Sequence, residues 1–234
     1  MTPIIHIRSY STDQYYLDKI FYSNFYRLKK LNSEASVLDV GAHCGYFVLT
    51  AIAAGYNKIC AFEPYVENYR MLLKNTEIFS DTVKTFQLGI YHSEDYVFFE
   101  SPQINQSQFL DYGILKLDNA QKNNASKTIS LSQASKLVDG HIDLLKINIG
   151  YEYDFVTNNE EAFSKINNIC LEMTYSPEEM KYIKGKLTEL GFSDSLILEL
   201  KEKERNFGFL AFFSKNKLDD VFNIEDLRDK NYET

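Results

Sequence analysis

Apolar residues at Leu17, Ile20, Phe21, Phe25, Leu28 and Leu31 recur at spacings of three and four, which predicts an amphipathic helix over residues 11–31. Ser11 and Gln14 stand three apart as a capping box at its start. The period changes at Ala35. Ser36-Val37-Leu38-Asp39-Val40-Gly41 is a short apolar run ending in glycine, the pattern of a strand buried on both faces. Gly45 to Ala54 then reads as a helix with Phe47, Ala51 and Ala54 inward and Gly55 placed to stop it. Lys58 to Glu63 is a second strand, and Val66 to Phe79 a second helix with Tyr69, Leu72, Leu73 and Ile78 on its apolar side. Strand and helix alternate, so the chain reads as an α/β fold, a mostly parallel sheet with helices on both faces.

Further strands are expected at Val83–Tyr91, Ile142–Ile149 and Asn168–Thr174. Ser176-Pro177-Glu178-Glu179 opens the last long helix with a capping box and a proline in its first turn, and Gly191 closes it. Leu196, Leu198 and Leu200 alternate with other residues, as do Phe207, Phe209, Ala211 and Phe213, and a charged turn lies between them; this is a C-terminal antiparallel hairpin. The segment 101–128, rich in Asn, Gln and Ser, is too long for an ordinary connector and reads as a lid or substrate loop. The organisation expected is one domain over 1–234: an N-terminal helical cover (1–35), a core (36–215) carrying the polar insertion, and a peripheral tail (216–234).

Composition narrows the function classes. Lys and Arg total 25 against 33 Asp and Glu, a net charge of −8, and no basic run exceeds Lys29-Lys30, which disfavours nucleic acid as partner. The apolar runs are short of the ~20 residues that span a bilayer, and the first residues lack a secretory pattern, so a cytoplasmic protein without membrane insertion is expected. Cys44, Cys60 and Cys170 include no Cys-x-x-Cys pair and read as reduced, buried thiols. The oligomeric state is left open, a homo-oligomer included.

The chemistry concentrates in Val37-Leu38-Asp39-Val40-Gly41-Ala42-His43-Cys44-Gly45, which leaves a strand and enters a helix, followed by the strand-ending Glu63 and Pro64. Glycines let a ligand approach the backbone, a helix N-terminus offers amide hydrogens, and an acid at the second strand's end can accept both hydroxyls of a ribose. His43 stands where a dinucleotide fingerprint has its second glycine, so a pyrophosphate would fit poorly. These residues resemble the class I S-adenosylmethionine-dependent methyltransferases. Together with Ala61-Phe62-Glu63-Pro64, Glu67-Asn68-Tyr69 and Asp143-Leu144-Leu145-Lys146-Ile147-Asn148-Ile149-Gly150, they resemble the FkbM family from about Ser36 to Lys215.

The resemblance implies a Rossmann-like sheet of seven strands and S-adenosylmethionine as cofactor, with S-adenosylhomocysteine as product. It places Asp39, Gly41, His43, Gly45, Glu63 and Asn148 at the cofactor and Gly89 and Ile90 beside the adenine. It also implies a small-molecule acceptor, a sugar hydroxyl of a nucleotide-sugar or polysaccharide precursor, methylated on oxygen. Asn105, Gln106, Ser107 and Tyr151 fall where the family arranges its acceptor. The chain departs from the family at the fourth strand, where Asn148 replaces an Asp and a following Glu is absent. A hydroxyl must lose its proton during transfer, so a base has to come from His92, Glu152 or Glu172. Asn148 and Glu172 could offer oxygens to a divalent metal, a thin ligand set.

Each of these residues has a plainer reading. His43 can satisfy turn backbone, His92 can be a solvated loop histidine, Tyr151 and Tyr153 can be packing residues, and Glu172 can belong to a structural ion pair. His141, at the start of a strand and away from the ligand-binding edge, reads as structural. Two other functions stay open: methyl transfer to an amine or an acidic oxygen, which needs no strong base, and a catalytically silent cofactor-binding or assembly module.

Overall fold

The computed structural model describes residues 4–30, 33–91, 96–99, 115–116, 125–138, 140–150, 152–173, 176–200 and 208–230. The strands are β1 (Ser33–Val40), β2 (Tyr56–Phe62), β3 (Val83–Phe86), β4 (Gly89–Tyr91), β5 (Tyr96–Phe99), β6 (Leu115–Lys116), β7 (Ala125–Ser130), β8 (Ile142–Ile147), β9 (Ile166–Met173), β10 (Asp194–Leu200) and β11 (Gly208–Ser214). The helices are α1 (Asp13–Tyr16), α2 (Tyr46–Ala53), α3 (Val66–Thr76), α4 (Leu131–Ser135), α5 (Glu152–Asn158), α6 (Glu160–Phe163) and α7 (Pro177–Glu189). Seven strands form the main sheet in the order β10-β11-β9-β8-β1-β2-β3. Pairing is parallel from β9 to β3, and β11 runs antiparallel to both its neighbours. This is the expected doubly wound sheet closed by a C-terminal hairpin.

Central strands are buried on both sides because helices cover both faces. Val37 and Leu144 enter one apolar cluster with α2; Leu38 and Leu145, one residue on, enter the other with Met180, Ile183 and Leu187 of α7. Successive side chains thus feed opposite cores. α7 begins where the sequence signal puts it: Ser176 and Glu179 form a full capping box, with Pro177 in the first turn.

Four expectations are corrected. The helix over 11–31 is one turn of α-helix, α1, running into a π-helix at Leu17–Tyr22. The Ser11–Gln14 capping box does not form: the Ser11 hydroxyl donates to Arg8 O, and the Gln14 amide reaches Asp18. Asn24 ends the helical path, taking a left-handed φ of 46° and bonding Leu28 through both amide atoms, a local competition typical of Asn. The single strand over 83–91 breaks at Gln87-Leu88, so β4 joins β7 in a second sheet ordered β4-β7-β5-β6. Leu73 and Ile78, expected to face inward, are exposed.

The fourth correction concerns the tail, of which residues 216–230 are described. Leu218, Phe222 and Ile224 are fully buried, Phe222 packs on Phe212 at 4.8 Å, and Leu28 forms an antiparallel bridge with Phe222. This segment belongs to the core and clamps the N-terminal one. Phe222→Ala is expected to cost about 3–5 kcal/mol in urea unfolding; a loss below about 1 kcal/mol would mean the segment is peripheral after all.

Candidate active site

The C-terminal ends of β1, β2, β8 and β9 meet at one edge of the sheet, where ligands gather in open α/β folds. The turn after β1 is shaped by backbone contacts. Gly41 has φ +81°, and a Cβ there would lie 2.0 Å from the Asn148 carbonyl oxygen, so the ends of β1 and β8 touch at a place only glycine fits. The N–H groups of Gly41 and Ala42 both donate to Phe62 O at 3.0 Å. Gly45 has φ +88°, and a Cβ there would meet Leu72 of α3 at 2.8 Å, so this glycine admits close helix packing. His43 takes a left-handed φ of 51°, which costs a non-glycine residue about 1 kcal/mol. Its N–H donates to Glu63 Oε2 at 2.8 Å, which offsets that strain.

Glu63 is the centre of this end. Its Oε1 accepts from the Tyr65 N–H at 2.9 Å, the Asn68 side chain adds a further hydrogen bond, and the residue is only 6% exposed. Burial pushes its carboxyl up to about 7, against the pull of the two N–H groups and the Lys146 charge.

Beneath the turn, Lys146 of β8 is buried, with Nζ 2.6 Å from Gly41 O and 2.9 Å from Asp39 Oδ1. Asp39 was expected at the cofactor, but its carboxylate is fully buried and supports the turn from below through this ion pair. The contact is ionic: neither Asp39 oxygen has a well-aligned hydrogen bond among the described residues, and burial raises its pKa despite Lys146.

The end at β8 and β9 is built from side chains. Asn148 Nδ2 donates to Glu172 Oε2 at 3.2 Å and lies 3.5 Å from the Tyr26 hydroxyl. Tyr26 donates to the same Glu172 oxygen at 3.2 Å, and Lys19 Nζ lies 2.6 Å from Glu172 Oε1. An aspartate at position 148 would face Glu172 as a second carboxylate, whereas Asn148 donates to it. With Lys19 already on Glu172, the pair does not fit a divalent metal.

The N-terminal segment crosses the other side of the turn. Arg8 is 2.7 Å from Asp13 Oδ1, 2.9 Å from Asn68 Oδ1, 3.2 Å from Cys44 Sγ and 3.5 Å from His43 Nε2. Ligand atoms of Asp13, His43 and Cys44 lie within 4.8 Å of one another, but the guanidinium fills the place a metal would take. Burial, then the charge of Arg8, lowers the His43 pKa to about 4, so its imidazole is neutral at pH 7. Burial likewise holds Cys44 as a thiol.

Of the sequence-derived candidates, the structure brings together Gly41, His43, Gly45 and Glu63 at one end and Asn148 with Glu172 at the other. Gly89 and Ile90 lie in the second sheet, and Ile90 is 1% exposed, packed among Phe62 and Leu38 rather than presented as an adenine wall. Glu152 begins α5, after β8. His92, Asn105, Gln106, Ser107 and Tyr151 lie outside the described residues. The sequence reading missed Arg8, Asp13, Lys19, Tyr26 and Lys146. Of these, Lys146 carried a signal: a lone lysine in an apolar central strand requires a buried partner.

No protein-family model and no curated protein matches the chain, so the narrower FkbM resemblance gains no support. Among solved structures it is similar to a candidate RNA methyltransferase from Pyrococcus horikoshii, with a TM-score of 0.50 and 16% identity over 92% of each chain. It is also similar to the human methyltransferase 10 domain containing protein, at 0.50 and 14%, covering 87% of this chain and 82% of that one. The chain has the methyltransferase fold. These likenesses overturn the expected partners. Net charge averages the whole surface, whereas an acceptor meets one site, and a candidate RNA methyltransferase shares this architecture, so an acidic chain of this fold does not exclude nucleic acid, and a carbohydrate acceptor has no support among these likenesses. Among the described residues no helix is long and apolar enough to cross a membrane.

The Asn148–Glu172 geometry has a pH signature. Asn148→Asp places two carboxylates in contact, which raises the pKa of the pair relative to the unfolded chain. Stability is then retained at low pH and lost as pH rises, so a deficit on the order of 1 kcal/mol is expected at pH 8, shrinking as pH falls through about 4 toward about 3. Thermal melts across that range check it; a pH-independent deficit would contradict the geometry.

Proposed function

We propose that this protein is an S-adenosylmethionine-dependent methyltransferase whose nucleoside end is Glu63 and the Gly41–Gly45 turn, and whose acceptor end is Asn148. One observation carries the reading: a buried carboxylate at the end of β2, held by main-chain N–H groups rather than by a cation. Of its four acceptor sites, the His43 and Tyr65 N–H groups and the Asn68 side chain take three. One remains for a ribose hydroxyl, so the residues present fit the nucleoside part of the cofactor. When bound, the cofactor supplies an activated methyl on a sulfonium. The protein's part is to align donor and acceptor and to keep the turn rigid, since in-line displacement gains most from orientation.

The acceptor is an amino nitrogen presented neutral, not a hydroxyl. Asn148 commits Nδ2 to Glu172, so its amide oxygen faces the opposite way and is suited to accept an N–H. Three of the four acceptor sites of Glu172 are filled by Lys19, Tyr26 and Asn148, and one of these donors is a cation, so it is poorly placed to take a proton. An amine retains its proton until after transfer and needs no strong base. Because the similar archaeal structure is a candidate RNA methyltransferase, the amino groups of nucleobases belong in the acceptor panel beside small amines.

Calorimetry with S-adenosylhomocysteine tests the nucleoside end. Glu63→Ala is expected to weaken binding at least tenfold, about 1.4 kcal/mol; unchanged affinity would remove the basis of the proposal. A carboxyl titrating near 7 is protonated in the free protein at pH 6, and ribose hydroxyls bind its ionised form. Affinity should therefore rise from pH 6 to pH 8, approaching tenfold per pH unit below about 7, and Glu63→Gln should flatten that dependence.

A further inference from the structure

We propose that Lys19 and Tyr26, carried by the segment that precedes β1, are positioning residues of the acceptor end: through Glu172 they fix the amide of Asn148 so that its oxygen faces the incoming nucleophile. The inference rests on the methyltransferase reading and adds to it the part of the chain that sets acceptor geometry.

A terminal amide torsion is broad and nearly two-fold, so an asparagine at a strand end has no intrinsic sense of direction. Here direction comes from its partner. Glu172 offers only acceptors, so Nδ2 turns toward it; the reversed amide would set oxygen against oxygen. Glu172 needs its own restraints. Lys19 holds one oxygen at 2.6 Å and Tyr26 the other at 3.2 Å, which fixes the carboxylate from two sides.

Both anchors are themselves constrained. Tyr26 is completely buried with its ring edge-on to Phe47 at 5.3 Å, so its hydroxyl can reach little besides Glu172 and Asn148. Lys19 lies 4.3 Å above the ring of Phe25, which limits the freedom of its long side chain. Neither residue lies in the sheet, yet together they set a side chain at its active edge.

The test uses the full chain and S-adenosylhomocysteine as probe. The Asn148 side-chain amide is followed by nitrogen-15 NMR, assigned by its absence in Asn148→Ser. Tyr26→Phe and Lys19→Met are expected to move this signal and to speed its hydrogen exchange at least tenfold, while affinity for the probe stays within twofold of wild type. Lys19→Arg should restore the signal. Unmoved Asn148 signals in both variants would overturn the proposal, as would a tenfold loss of probe affinity with the amide signal intact. If the wild-type protein does not bind the probe, the methyltransferase reading fails on its own, and Asn148 exchange in the unliganded protein still decides the coupling.

Discussion

The buried ion pair of Lys146 and Asp39 is the constraint on which the active edge depends. It ties two parallel neighbours, β1 and β8, at their C-terminal ends, and the same ammonium holds the carbonyl of Gly41. A charge in this position is costly unless paired, and removing one partner of such a pair typically costs 3–5 kcal/mol. The pair therefore works less as a source of net stability than as a registration device: the strands can meet here in only one alignment. Everything above it, from the close approach of Gly41 to Asn148 to the left-handed turn at His43, follows from that alignment.

The two halves of the site are made by different means. The end at Glu63 is a backbone structure in which main-chain N–H groups from the turn and from Tyr65 converge on one carboxylate. The end at Asn148 is a side-chain structure assembled from β8, β9 and the N-terminal segment. Asp13, Asp39 and Glu172 each sit against a cation, respectively Arg8, Lys146 and Lys19, whereas Glu63 is held mainly by hydrogen-bond donors. That difference leaves Glu63 titrating near neutrality, since burial raises its pKa and no adjacent ammonium cancels the effect.

Much of this was legible where local pattern and tertiary structure agree. The run from Val37 to Gly45, the acid at Glu63 and the cap at Ser176 each state a local preference that packing confirms. The N-terminal helix failed because Arg8 takes Asp13, and Asn24 bonds Leu28, so side chains outcompete the helical pattern. The break at Gln87-Leu88 separates two β-like runs that continue the same alternation, so the sequence shows no change of sheet. α4 carries a Ser130–Gln133 capping box of the same kind as α7, but with five residues it is too short to show a helical period. Ion pairs and hydrogen bonds that join Lys19 or Tyr26 to Glu172 span 153 and 146 residues, and no spacing rule reaches that far.

The bridge between Leu28 and Phe222 also bears on biosynthesis. Asn223 and Leu28, joined by a hydrogen bond, lie 195 positions apart, so the early segment leaves the ribosome long before the residues that hold it down. Until they emerge, the N-terminal segment lacks its bridge to Phe222 and its hydrogen bond to Asn223, and Lys19 and Tyr26 rest on contacts with α2 and β9. The full clamp on that edge thus arrives late in translation.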